Sequence, residues 1–212
     1  MKKKRRSSRR EVTERCSQKP KRNLPREILT DAESDALMEQ CDTTPMGMRN
    51  RALLLLLEGT GCRIAEVLAF EPKDFEWGEE LVNVRVAKGG EQRVVPVSPE
   101  ALVATRAWLE ARDALGVAQD APIVCNEKGC ALKPEYIRSL LPRLAKQASI
   151  AKRVHAHGFR HRFTVRLVRH GVPLPSVSHV LGHKNLATTH TYCQRIGASH
   201  AIKDVGAALD SG

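Results

Sequence analysis

The stretch LVNVRVAKGGEQRVVPV at residues 81–97 decides the fold class, because the hydrophobic pattern changes its period there. Leu81, Asn83 and Arg85 alternate with valines at 82, 84 and 86, which is typical of a half-buried strand. Gly89-Gly90 predicts a hairpin turn, and residues 92–97 alternate again as the partner strand. With a short strand over residues 75–77, the sequence predicts one small antiparallel sheet.

On both sides of this hairpin the apolar residues recur at helical spacing. Thr30 and Glu33 form a capping box, which predicts a helix over residues 31–40. The apolar run at residues 52–57 predicts a buried helix over 46–58 that ends at Gly59. Further helices are predicted over residues 63–70, 99–115, 134–149, 157–170, 174–181, 186–192 and 198–209. The fold class is therefore mainly α with a small antiparallel three-stranded β-sheet (α+β).

The net charge of +11 is concentrated in the first 26 residues. They hold twelve Lys or Arg against two Glu, a net charge of +10, whereas the rest of the chain has a net charge of +1. Such a basic block is predicted to be disordered alone and to bind a polyanion by releasing its counterions. A solubilising tail without a partner is the alternative. The tail residues expected to contact such a polyanion, with nucleic acid as one candidate, are Lys2, Lys3, Lys4, Arg5, Arg6, Arg9 and Arg10.

Composition excludes a membrane or secreted protein. No apolar run approaches the roughly 18–20 residues that cross a bilayer. The basic N-terminus lacks the apolar segment of a secretory signal. Six irregularly spaced cysteines predict free thiols in a reducing, cytoplasmic compartment. Cys125 and Cys130 have no matching second pair, so no metal site is predicted.

The stretch HAHGFRHRF at residues 155–163 gathers cationic side chains. In a helix, His157, Arg160 and His161 are three and four residues apart and share one face. Phe159 and Phe163 form a separate apolar pair that anchors the helix. Arg160 has no acidic neighbour in sequence, which suits a site that awaits an anion. A basic, solvated helix face is the alternative.

Two further cations have less common surroundings. Arg63 is predicted in the first turn of its helix, where the dipole disfavours a cation by roughly 0.3–1 kcal/mol. A bound phosphate would remove that cost, and Glu66 lies one turn on, where it can orient Arg63. Lys88 flanks the Gly-Gly turn at the tip of the hairpin. A solvated arginine and an ordinary turn lysine are the alternatives.

The chain has two tyrosines, and they lie in different surroundings. Tyr136 is part of an amphipathic helical pattern and is expected to pack against the core. Tyr192 lies in the polar run TTHTYCQ, nine residues after His183. A buried structural role is less natural for Tyr192, so it is the better candidate for chemistry.

Taken in order, GTGCRIAEVL, AKGGEQRVVPV, HGFRH and VLGHKNLATTHTY resemble the motifs of the tyrosine recombinase (phage integrase, Xer-type) family. The resemblance covers about residues 30–192. It implies catalytic roles for Arg63, Lys88, His157, Arg160, His183 and Tyr192, with support from Glu66 and His161. It also implies a catalytic domain over residues 27–195 and a C-terminal segment, 196–212, exchanged between protomers; a frayed tail is the alternative for that segment.

The activity that the resemblance implies is site-specific recombination of double-stranded DNA through a 3′-phosphotyrosyl intermediate. No cofactor is expected, and the enzyme would act as a dimer or tetramer on DNA. It would be cytoplasmic, associated with the nucleoid, and part of a mobile genetic element. Integration, excision, inversion and resolution all stay open. Most relatives carry a DNA-clamping domain before the catalytic one, so we expect either a single-domain member or a piece of something larger.

Two other functions are compatible with the sequence. A DNA-binding regulator could retain the fold without the chemistry. A metal-dependent single-strand nickase would use His155 and His157 on a strand as metal ligands together with a tyrosine.

Overall fold

The structure is a computed structural model that describes residues 28–85 and 92–182. In chain order the elements are α1 (Asp31–Glu39), α2 (Pro45–Thr60), α3 (Ile64–Leu68), β1 (Phe75–Glu76), β2 (Leu81–Val84), β3 (Arg93–Pro96), α4 (Pro99–Ala114), α5 (Pro134–Gln147), α6 (Ala156–Arg169) and α7 (Leu174–Leu181). The mainly helical fold with one small sheet is confirmed. The basic tail, the hairpin turn at 89–90 and the helices predicted over 186–192 and 198–209 lie outside the described residues.

Helix α2 is the centre of the hydrophobic core. Thr44 caps it by accepting a hydrogen bond from the Gly47 N–H (3.2 Å), and Pro45 occupies the first turn. Its leucines at 53, 54, 56 and 57 are fully buried, because α2 packs against α4 on one side and α6 on another. The buried helix predicted from the apolar run is therefore confirmed.

The end of α2 differs from the prediction, because Gly59 lies inside the helix. A Cβ at Gly59 would lie 2.6 Å from the Ser98 hydroxyl, so this glycine allows close contact with the start of α4. The helix stops instead at Gly61, a left-handed C-cap with φ of 62°. A Cβ at Gly61 would lie 2.3 Å from the Phe163 ring, so α2 can end directly against α6.

The antiparallel sheet has the order β1-β2-β3. Val82 of β2 pairs with Phe75 of β1 and with Val95 of β3, and all three side chains are buried. Strand β3 contacts α2 and α7. The sheet therefore connects the core helix to the last described helix.

Local signals set the starts of α1 and α6. The capping box of Thr30 and Glu33 is confirmed, with the Glu33 N–H donating to Thr30 Oγ1 (3.2 Å) and the Thr30 N–H donating to Glu33 Oε2 (2.7 Å). His155 caps α6, because its ring Nδ1 accepts from the Gly158 N–H (2.9 Å). Phe159 and Phe163 are buried, so the predicted anchoring pair is also confirmed.

The free thiols predicted from sequence are confirmed for the described cysteines, which are Cys41, Cys62, Cys125 and Cys130. Within the described ranges, none of the helices has the length and apolar character to cross a bilayer.

Candidate active site

Arg63 lies at the N-cap of α3 with an extended backbone, not in the first helical turn as predicted. Glu66 explains the difference. Its carboxylate accepts a hydrogen bond from the Arg63 N–H (2.8 Å) and so caps the N-terminus of the helix, which begins directly after Arg63. The half-exposed guanidinium donates to Glu66 Oε1 (3.0 Å) and to the Gly182 carbonyl (3.4 Å). Since α3 has five residues, its dipole is small, and the positive charge comes from the guanidinium itself.

Glu66 is buried, and each of its carboxylate oxygens accepts two hydrogen bonds. Oε1 accepts from Arg63 Nη1 (3.0 Å) and Arg93 Nη1 (3.1 Å), and Oε2 accepts from the Arg63 N–H and Arg93 Nη2 (2.8 Å each). Burial raises the pKa of Glu66, but the Arg93 hydrogen bonds and charge and the Arg63 N–H hold it below its ordinary value. Glu66 is therefore ionised at neutral pH, and two guanidinium groups share its charge.

Arg160 is a buried cation, with 3% of the residue exposed. Its Nη1 donates to the Gly61 carbonyl (2.9 Å) at the end of α2, and its Nη2 donates to the Leu181 carbonyl (2.6 Å) at the end of α7. Within residues 28–85 and 92–182, no carboxylate forms an ion pair with it. Burial, and then the nearby charge of Arg63, lower the pKa of Arg160 to about 10. It is a protonated group that an incoming anion would stabilise.

The histidines of α6 surround this arginine in sequence. His157 is exposed in the first turn of the helix, and His161 is half-buried one turn later. The nickase alternative requires His155 and His157 on a strand, but the first is a helix cap and the second is helical. In the described part of the chain, no group of three or more His, Cys, Asp or Glu side chains is placed to hold a metal ion.

Sequence reasoning missed Arg93, whose guanidinium joins the same cluster. Arg93 pairs with Val84 in the sheet and faces inward, as Val95 two residues later does. The signal was available, because a charged residue at an inward position of an alternating strand requires a buried partner. The partner itself, Glu66, lies 27 residues away in sequence.

Three predicted catalytic residues, Lys88, His183 and Tyr192, lie outside the described residues. The chain on both sides of Lys88 is described, and so is the chain before His183. Strands β2 and β3 flank residues 86–91, and Gly182, the residue before His183 in sequence, accepts a hydrogen bond from Arg63.

The described cluster contains three guanidinium groups, those of Arg63, Arg93 and Arg160, and one carboxylate, that of Glu66. This set carries an excess of positive charge. A guanidinium presents a planar fork of donors that matches the oxygens of a phosphate group. The arrangement is therefore suited to binding a phosphodiester at the half-exposed Arg63 and the buried Arg160.

Comparison with known proteins agrees with this chemistry. The profile of the Phage integrase family matches residues 27–196. The chain belongs to the phage integrase family.

Named relatives are similar over most of this chain. It is 36% identical over 174 residues to tyrosine recombinase XerC of Xanthomonas campestris pv. campestris, covering 82% of this chain and 52% of the relative. It is 35% identical over 182 residues to XerC of Oceanobacillus iheyensis, covering 84% and 57%. The chain thus spans about half the length of the curated relatives it matches.

Solved structures of family members share the fold. XerA recombinase superposes with a TM-score of 0.70 at 27% identity, covering 78% of this chain and 59% of that one. XerH site-specific recombinase, in a post-cleavage complex with its palindromic difH substrate, superposes with a TM-score of 0.69 at 26% identity, covering 86% and 54%. The fold described above is therefore that of a tyrosine recombinase catalytic domain.

Proposed function

We propose that this phage integrase family member is a site-specific DNA strand transferase that cleaves and rejoins DNA through a 3′-phosphotyrosyl bond to Tyr192. The observation that carries the proposal is Arg160, a buried cation whose described partners are two neutral carbonyl oxygens. A phosphodiester supplies the negative charge that this position lacks. Similarity to proteins named tyrosine recombinase supports the reaction class.

In the proposed reaction, the two arginines act on the phosphate. When the Tyr192 oxygen attacks the scissile phosphorus, negative charge grows on the non-bridging oxygens of a pentacoordinate transition state. Arg160 and Arg63 donate forked hydrogen bonds to those oxygens, which stabilises charge where it develops. Glu66 holds Arg63 in place through two hydrogen bonds (2.8 and 3.0 Å).

Proton transfer completes each step. His157 accepts the proton of the Tyr192 hydroxyl as the Oη–P bond forms, and Lys88 donates a proton to the departing 5′ oxygen as the P–O5′ bond breaks. His183 donates a hydrogen bond to a non-bridging oxygen, and His161 supports the cluster. Rejoining reverses these steps with another 5′-hydroxyl. The phosphotyrosyl bond conserves the energy of the phosphodiester, so the reaction needs no ATP.

The decisive experiment uses a nicked suicide substrate that traps the covalent adduct. Wild-type protein should give a protein–DNA adduct in the presence of EDTA, and Tyr192→Phe should give none. The chain offers a matched control, because its other tyrosine, Tyr136, hydrogen-bonds to Arg49 (2.6 Å) and Asn50 (3.1 Å) away from the site. Tyr136→Phe should still form the adduct.

Each other outcome indicates a different function. An adduct that persists in Tyr192→Phe would refute the nucleophile. DNA binding without an adduct in any variant would favour a DNA-binding regulator. An adduct that EDTA abolishes would favour the metal-dependent nickase.

We also propose that the basic tail over residues 1–26 binds the DNA backbone. Its net charge of +10, against +1 for the remaining chain, supports this role. Each phosphate that it neutralises steepens the dependence of log K on log salt by about 0.9. Deleting residues 2–26 should therefore weaken binding and flatten the salt dependence, and unchanged binding across a salt titration would refute the role.

Assembly is the last element of the proposal. We propose that the protein acts in the cytoplasm, as a dimer or tetramer on double-stranded DNA. We also propose that residues 196–212 pack on a neighbouring protomer. Truncation after residue 195 should abolish higher-order complexes on DNA while leaving a single protomer able to bind. Native gel shifts with one and two sites measure this directly.

A further inference from the structure

We propose that Arg93 is a positioning residue of the active site. It orients Glu66 for Arg63 and ties strand β3 to the end of α7. The inference rests on the proposed strand transfer, and it adds a residue that the motif comparison did not assign. Arg93 does not reach the surface, because 8% of its side chain is exposed, so we assign it no direct contact with DNA.

The contacts of Arg93 all point inward. Its Nη1 and Nη2 form a fork on the two oxygens of Glu66 (3.1 and 2.8 Å), and its Nε donates to the Val180 carbonyl (2.8 Å). Its Nη2 also lies 3.8 Å from the Cys62 sulfur. A two-point fork fixes both the position and the plane of a carboxylate, whereas a single contact fixes neither.

This fork has a consequence for Arg63. Glu66 is the carboxylate that contacts Arg63, and its single negative charge is shared between Arg63 and Arg93. Glu66 therefore holds Arg63 at two points, its guanidinium and its backbone N–H, without cancelling the positive charge of Arg63. The half-exposed guanidinium remains cationic and correctly aimed, which a phosphate-binding group requires.

The second consequence concerns the chain segments that lead to Lys88 and His183. Arg93 is the first residue of β3, directly after residues 86–92, and its partner Val180 lies two residues before Gly182. Gly182 has φ of 62°, and a Cβ there would lie 3.1 Å from Arg93 Nη1, so a glycine lets the guanidinium pack against the end of α7. One side chain thus fastens the ends of two segments that carry proposed catalytic residues.

The test compares single-turnover adduct formation by wild type, Arg93→Gln, Arg93→Lys, Glu66→Gln and the double variant Arg93→Gln/Glu66→Gln. Arg93→Gln should lower the rate on the order of 10- to 100-fold, since small misplacements of catalytic groups have effects of this size. DNA affinity should stay near wild type. Arg93→Lys should recover part of the rate, because an ammonium donates to Glu66 but cannot form the fork.

The double variant separates positioning from general damage. If Arg93 acts through Glu66, the Arg93→Gln loss should be smaller in the Glu66→Gln background than alone. Arg112→Gln is the matched control, because Arg112 is a buried arginine that bonds the carbonyls of Gln119, Ala121 and Pro122 away from the site. It should lower stability and leave the rate of folded protein unchanged. Losses that simply multiply, or an unchanged rate in Arg93→Gln, would overturn the inference.

A measurement without DNA keeps the inference separate from the proposed function. The Hε–Nε resonance of Arg63, assigned by substitution, should broaden or shift in Arg93→Gln and stay unchanged in Arg112→Gln. If wild type forms no adduct on DNA, the proposed strand transfer fails, and this resonance still decides the role of Arg93. An Arg63 signal that Arg93→Gln leaves unchanged would refute the role whatever the activity.

Discussion

Helix α6 carries two buried arginines, Arg160 and Arg162, and their surroundings are opposite. Arg160 donates to two carbonyl oxygens, and burial together with Arg63 lowers its pKa. Arg162 pairs with Glu58 (2.9 Å) and Asp31 (2.7 Å). Burial lowers the pKa of Arg162, but the hydrogen bond and charge of Glu58 outweigh it and raise the pKa overall.

The Arg162 side of α6 is a structural anchor. Arg162 also donates to the Leu29 carbonyl (3.0 Å), and Lys152 donates to the Ile28 carbonyl (2.7 Å) and pairs with Glu33 (2.6 Å). These contacts fasten the start of the described chain and helix α1 to α6 and to the segment that precedes it. The charges on this side are matched within the protein.

The comparison separates a cation that holds the fold from one kept for a ligand. Burying a guanidinium costs several kcal/mol of hydration, which an internal carboxylate or an external anion can offset. At Arg162 the protein provides the carboxylate. At Arg160 the described hydrogen-bond acceptors are peptide carbonyls, and the more distant charge of Glu66 does not outweigh burial and Arg63, so part of the offset is left to the phosphate.

The largest effect is expected for Arg160→Met, which removes the charge and keeps a side chain of comparable length. Adduct formation should fall by about 10²–10³-fold, because the transition state loses a buried donor. The free energy of unfolding should change by no more than about 1 kcal/mol, because an unmatched buried cation stabilises the fold little. Single-turnover kinetics and urea unfolding measure both quantities. A large loss of stability with normal activity would reverse the assignment.

Arg162→Met should show the opposite profile. Removing Arg162 leaves the buried Glu58 with the more distant, half-exposed Arg166 as its cation, and we expect a loss of about 3 kcal/mol in the free energy of unfolding. The folded fraction should cleave DNA at close to the wild-type rate. Arg166→Met is the control, because Arg166 is half exposed and 3.8 Å from Glu58, so its loss should stay below about 1 kcal/mol.

Anion binding tests the same division without DNA. Inorganic phosphate should bind at Arg160 and Arg63, and at ten times its Kd it should stabilise the fold by about 1.4 kcal/mol, which raises Tm by roughly 3–5 °C. Thermal unfolding at constant ionic strength measures the shift. Arg160→Met should lose the part of the Tm shift that comes from phosphate bound at the site, so the shift that remains in this variant measures the general salt effect of phosphate. Arg162→Met should retain the full shift. Equal shifts in both variants would argue against an anion site.

The smallest effect is expected for Asp31→Asn. Although Asp31 lies 2.7 Å from Arg162, its side chain is 88% exposed, so water screens the pair. The loss should be about 0.5 kcal/mol. Urea unfolding at low and high salt measures it, and a loss above about 2 kcal/mol would mean that Asp31, rather than Glu58, is the main partner of Arg162.

Local patterns predicted much of the fold. The capping box at Thr30 and Glu33, the alternation over residues 81–84 and the apolar run of α2 each act within a few residues, and the structure confirms all three. The predicted end of α2 was wrong, and its cause is not local. Gly59 looked like a helix stop, but it is inside α2 because α4 packs against it.

In the candidate site, too, some features were predictable from local sequence and others depend on contacts between distant residues. The sequence by itself assigned Arg63, Glu66, His157 and Arg160 to motifs. It could do so because the residues of one motif are a few positions apart and lie on the same helix or at its end. The motif pointed to Arg160 rather than to Arg162, two residues further along the same basic helix, but it did not show what either guanidinium contacts. Only the tertiary structure decided that Arg160 faces the carbonyls of Gly61 and Leu181, that Arg162 faces Glu58, and that Arg93 forks onto Glu66. These contacts join residues 21 to 104 positions apart, and a buried charge takes its function from such distant partners rather than from its neighbours in sequence.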